Sequence, residues 1–154
     1  MPPKHPATSR WTRAGIFDID DVDSWSDIEE RITPIELPLD RGDAMEIFVE
    51  ALLNTHPIFQ TVEVYPNCEG KIPEHVCEEL NLRGDYGVDG VYYGTDQVFD
   101  AYQSKFRAPT GQPITLNWGQ PDDLSHLFAD GARCRSKLVI SNANDVVPRV
   151  REQD

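Results

Sequence analysis

The sequence predicts an α/β domain: a small mixed β-sheet flanked by helices. Three observations predict it. A segment of helical period opens the patterned part of the chain, runs rich in Val, Tyr and Phe follow it, and a second helix leads into a short apolar strand. A length of 154 residues supports one hydrophobic core and is short for two domains.

Residues 1–35 read as an N-terminal tail and acidic extension, and 36–154 as the folded domain. Met1 to Arg10 holds Pro2, Pro3 and Pro6 without an apolar run, so a short disordered tail is expected, neither signal peptide nor anchor. Residues 15–30 are dense in Asp and Glu and suit a solvated stretch, with a short helix from Ser24 or Ser26 and Trp25 packed inward. Pro34 and Pro38 are expected to keep the next segment extended. In GDAMEIFVEALLNTHP, Met45, Phe48, Val49, Leu52 and Leu53 recur at helical spacing; Asp43 suits the N-cap and Pro57 the end.

FQTVEVYP then alternates as a strand does, and a short helix is expected from Pro73 to Leu80. VDGVYYG (88–94) and QVFDAYQSKF (97–106) read as two strands joined by a tight turn at Gly94, Thr95 and Asp96. Residues 107–120, with Pro109, Gly111, Pro113 and Gly119, read as a loop. A helix after Pro121 places Leu124, Leu127 and Phe128 inward and ends at Gly131. KLVISNA reads as a short buried strand, and DVVPRVREQD as the start of a last helix with Pro148 in its first turn.

Composition bounds the function. Hydrophobic residues at 39% and charged residues at 27% suit a soluble globular protein. No apolar run approaches the roughly 18 residues of a membrane span, so a cytoplasmic protein is expected. Cys68, Cys77 and Cys134 lack the paired spacing of a zinc site or a disulfide framework and are expected to be reduced thiols. Fourteen basic residues against 27 acidic ones give −13, a surface that repels phosphate backbones. Either another part of a larger polypeptide supplies DNA affinity, or the chain does not bind DNA.

The chemistry concentrates at the hairpin. Residues two apart on a strand share a face, so Gln103 and Lys105 are expected side by side, with Asp89 brought near them by pairing of the preceding strand. A carboxylate, an amide oxygen and an ammonium at one end of a sheet suit a hard divalent cation such as Mg²⁺, with Mn²⁺ as a substitute. Such an ion acidifies bound water, while Lys105 orients that water or stabilises charge on a phosphate.

The string GDYGVDGVYYGTDQVFDAYQSKF resembles the Mrr-like branch of the PD-(D/E)XK nuclease superfamily. Gly87, Asp89 and Gly90 match its G-x-D-G strand, and Gln103 and Lys105 match its Q-x-K. Glu46, in the helix with Met45, Val49, Leu52 and Leu53, matches the glutamate that supports the family's metal site. The helix around Leu124 to Phe128 and the strand at 138–143 are similar to its closing elements. The superfamily commonly has Asp or Glu where Gln103 stands, whereas the branch resembled here uses glutamine. The layout also resembles the N-terminal nuclease module of helicase-bearing restriction proteins, over roughly residues 40–145. The resemblance implies a restriction-endonuclease-like fold and Mg²⁺-dependent hydrolysis of DNA in a restriction or phage-defence system. Asp89, Gln103 and Glu46 would hold the metal and Lys105 would act in catalysis. It also implies helicase and DNA-recognition domains in the same polypeptide or complex.

Plainer readings stand beside these. Asp89-Gly90 is a common turn dipeptide, Lys105 suits an exposed strand position, and Glu50 lies one helical turn from Glu46. Asp85 reads as a loop charge, and Tyr102 and Phe106 as core. Ser141 and Asn142 suit capping of a following helix or contact with DNA. Arg133, Arg135 and Lys137 suit phosphate contact or a solvated surface. Two other functions remain open: a nuclease-like docking module without activity, and an acidic mimic of DNA that inhibits a DNA-binding enzyme.

Overall fold

Alternating apolar side chains build four short strands whose two faces are covered by different helices. The computed structural model describes residues 3–17, 24–67, 72–82, 88–119, 122 and 124–146. Along them run α1 (Thr8–Arg13), α2 (Trp25–Ile32), α3 (Pro38–Thr55), β1 (Thr61–Pro66), α4 (Glu74–Leu80), β2 (Gly90–Gly94), β3 (Phe99–Lys105), β4 (Thr115–Leu116), α5 (Leu124–Asp130), β5 (Lys137–Ser141) and β6 (Asp145–Val146). The main sheet has the order β1-β2-β3-β5. The first two pairings are antiparallel and β3–β5 is parallel, so the sheet is mixed. A parallel neighbour needs a crossover, which β4 and α5 supply.

Strand periodicity sorts the core into two layers. Val64, Tyr92 and Tyr102 pack with Ile32, Met45, Val49 and Leu53 on the side of α1–α3, joined by half-buried Leu138 and Ile140. Val91 and Ala101 pack with Val76, Leu80 and Leu127 on the side of α4 and α5, joined by Tyr65, Phe99 and Val139. The expected mixed α/β domain with a small helix-flanked sheet is therefore present. β5 is half-buried along its length instead of fully buried, because it ends the sheet and has a strand on one side only.

The helical expectations need two corrections. Pro38 does not extend the chain; it is the first residue of α3, where its fixed φ suits a helix and its missing N–H costs nothing. Asp43 is accordingly inside the helix and not its N-cap, which is Leu37. α2 does start after Ser24, closed by a capping box with Asp27, and Trp25 lies 5.0 Å from the Phe48 ring.

Residues 3–10 are part of the fold and not a disordered tail, while Met1 and Pro2 lie outside the described residues. The Lys4 and His5 backbone N–H groups donate to the two Glu50 oxygens at 2.7 and 3.0 Å. Glu50 is only 3% exposed, and a buried carboxylate needs such donors. Trp11 enters the α3 core. At the other end, Asp145–Val146 is a strand paired with β4 where a helix was expected. Residues 147–154, and with them Pro148, lie outside the described residues, as do Cys68, Asp85, Gly87 and Pro121. Cys77 and Cys134 are free thiols; burial pushes Cys134 up to about 11. No helix among the described residues is long and apolar enough to cross a membrane.

Polar residues left open by the sequence have structural partners. Asn142 does not cap a helix: it accepts from the Arg107 backbone N–H at 2.9 Å and donates to the Arg107 carbonyl and Glu29, pinning the chain after β3 to the end of β5. Arg135 forms a two-point pair with Asp100, at 3.1 and 2.6 Å, and also pairs with Asp96. Asp100 is 2% exposed, so Arg135→Ala strands a buried charge. The variant is expected to show a lower midpoint in urea or thermal melts.

Candidate active site

The N-terminal half of α3 crosses the ends of β2 and β3 and leaves a cleft of about 370 Å³. Arg41 and Glu46 line it from α3, Asp89 from just before β2, Ser104 and Lys105 from the end of β3, and Arg107 from the irregular chain beyond. Three of the four predicted site residues, Glu46, Asp89 and Lys105, thus meet in one cleft.

Gln103 does not line it. It pairs with Val139, shares its face with Ala101 on the α4–α5 side, and is 6% exposed. Asp89 would be expected opposite it, but the ladder is irregular here. Gly90 is paired with Tyr102, yet the Asp89 N–H also donates to the Tyr102 carbonyl, at 2.8 Å. Two residues facing one carry Asp89 out of strand alternation. Its carboxylate instead reaches Ser104, which lies on the α3 side with Tyr102. Lys105 shares Gln103's strand face, but it is the last residue of β3 and its long side chain still lines the cleft.

Gly90 has a local steric role. A Cβ there would collide with the Tyr102 ring, which lies across it. Gly90→Ala is expected to cost 1–3 kcal/mol through overpacking, read as a lower denaturation midpoint.

The electrostatics centre on Asp89. Its Oδ2 accepts from the Ser104 N–H at 2.6 Å and the Ser104 hydroxyl at 3.1 Å. Burial, and then the charge of Glu46, nonetheless push its carboxyl up to about 6. The Ser104 bonds and the Lys105 charge act the other way and are outweighed. Asp43 is also raised, first by burial and then by Glu46. Carboxylates therefore repel one another around Glu46. A cation is the natural counterpart of such an arrangement.

Sequence reasoning missed His5. Its Nε2 lies 2.8 Å from Glu46 Oε2 and 4.0 Å from Asp43 Oδ1, and ligand atoms of these three residues all fall within 4.8 Å of one another. By composition this group could hold a metal. A lone histidine among prolines, about 40 residues from its partners, carries no periodic signal. Ser104 was missed as well, being read only as the middle residue of Gln103-x-Lys105. Comparison with protein-family models, curated proteins and solved structures gives no match for this chain.

Proposed function

We propose that the chain is a divalent-cation-dependent DNA endonuclease module of restriction-endonuclease-like fold, centred on Glu46, Asp89 and Lys105. One observation carries the reading: two carboxylates from different elements and a lysine share a cleft in which burial and mutual repulsion raise Asp89. The donors fit Mg²⁺ or Mn²⁺, since hard cations take carboxylate oxygens and keep waters. When bound, such an ion supplies Lewis acidity toward a phosphodiester.

The side chains divide the remaining work. Asp89 and Glu46 present oxygens to the cleft. Ser104 fixes Asp89 through Oδ2, while Oδ1 accepts no hydrogen bond from a described residue. Lys105 makes no ion pair with a described residue, so its ammonium is available where negative charge builds on a phosphate. Arg41 and Arg107 add positive potential at the rim, although their guanidinium groups already bond Ile35, Glu36 and Asp122. Gln103 packs within the sheet and supplies no ligand from its present position. The net charge of −13 fits a cytoplasmic module of a restriction or phage-defence system whose helicase and DNA-recognition domains supply most DNA affinity. The test is conversion of supercoiled plasmid to nicked circles, expected with Mg²⁺ or Mn²⁺ and abolished by chelation.

A second reading, a docking module with a nuclease-like fold and no activity, is favoured by one observation: Gln103 is outside the cleft, which removes an expected ligand. Calorimetric titration with Mg²⁺ separates the two. Binding that depends on Asp89 supports the nuclease, and its absence supports the docking module.

A further inference from the structure

The segment before α1 is tied to α3 by two carboxylates one helical turn apart, Glu46 and Glu50, which therefore share a helix face. Glu50 receives the Lys4 and His5 backbone N–H groups, and Lys4 Nζ donates to the Val64 carbonyl at 2.6 Å. The Thr8 N–H and hydroxyl both donate to the His5 carbonyl, at 3.1 and 2.8 Å. The His5 side chain is 4% exposed. Backbone and ring are thus both fixed.

The ring's protonation follows from its neighbours. The Ala7 backbone N–H donates to His5 Nδ1 at 3.1 Å, so Nδ1 carries the lone pair and the neutral ring has its proton on Nε2. Nε2–H then donates to Glu46 Oε2 at 2.8 Å. To ligate a cation, Nε2 would have to move that proton to Nδ1, where it would meet the Ala7 N–H head-on. The His5, Asp43 and Glu46 group is therefore built for hydrogen bonding and not for coordination through histidine.

We propose that His5 is a positioning residue of the cleft: its Nε2–H holds one Glu46 oxygen and so orients the carboxylate toward the site shared with Asp89. The inference rests on the nuclease reading. It makes the N-terminal segment a working part of the centre. Groups that orient a ligating carboxylate commonly matter tenfold or more for metal affinity.

The test uses the full chain and Mg²⁺ alone as the probe. Calorimetry should show Mg²⁺ binding weakened about tenfold in His5→Leu, with an unchanged far-UV circular dichroism spectrum. Affinity should be largely restored in His5→Gln, whose amide can donate from the same place. Nitrogen-15 spectra of the wild-type ring should show the Nε2–H tautomer both before and after Mg²⁺ is added. This measurement needs no variant to fold. Wild-type affinity in His5→Leu, a Nδ1–H tautomer, or loss of the Nε2 proton on adding Mg²⁺ would each overturn the positioning role alone. A wild-type protein that binds no Mg²⁺ overturns the nuclease reading and this role with it.

Discussion

Lys105→Ala is expected to lower Mg²⁺-dependent plasmid nicking on the order of 10²- to 10³-fold while the protein stays folded. Lys105 lines the cleft at the end of β3 without an ion pair to any described residue, so its removal breaks no structural bond recorded there. What is lost is a positive charge beside the position where a phosphate would gain negative charge. That loss should fall on turnover more than on apparent substrate affinity. Asp89→Ala is expected to abolish nicking as well, together with Mg²⁺ binding. Nicking retained in both variants would refute the site assignment.

Asp89→Asn is expected to inactivate the protein and yet stabilise it. The Asp89 carboxyl is raised from 3.8 to about 6, first by burial and then by Glu46, so the folded state holds its proton more tightly than the unfolded state does. The sign follows from linkage: stability associated with this group is fully present below pH 4 and is lost as pH rises through 6. In chelator the ionised carboxylate therefore destabilises the folded state at neutral pH. Asparagine removes the charge, and its side-chain oxygen can still accept from Ser104. Melts in chelator should therefore show Asp89→Asn more stable than wild type at pH 7.5, with the difference vanishing near pH 4. Added Mg²⁺ should raise the wild-type midpoint and leave the variant unmoved. A variant less stable than wild type at pH 7.5 would contradict the account of the cleft as strained by its own charge.

Much of this fold is legible from local pattern. The helical spacing of Met45, Phe48, Val49, Leu52 and Leu53, the hairpin turn at Gly94 and the strand before Asn142 each declare themselves within a few residues. Asp89 and Lys105 were legible from the hairpin alone, whereas Glu46 was implied only by the resemblance and reaches the cleft from α3. The other features depend on contacts that no window can show. His5 and Lys4 gain their positions from α3 and β1, some 40 to 60 residues away. A segment with Pro2, Pro3 and Pro6 looks unstructured until Glu50 is seen to need its backbone donors. Gln103 failed to join the cleft for a reason finer than periodicity. Strand alternation puts it beside Lys105, but Asp89 lies at the irregular start of β2, and one extra residue in a ladder changes which neighbour its side chain meets. Proline likewise has two meanings: Pro38 opens α3 because the positions after it were free to continue as helix.

Whether one ion bridges the cleft can be read from anomalous scattering of a crystal grown with Mn²⁺. A peak is expected within coordination distance of oxygens of both Asp89 and Glu46, with the Lys105 ammonium nearby and His5 Nε2 still bonded to Glu46. A peak ligated by His5 and Asp43 without Asp89, or a cleft that takes no Mn²⁺ at concentrations supporting DNA nicking, would contradict that arrangement.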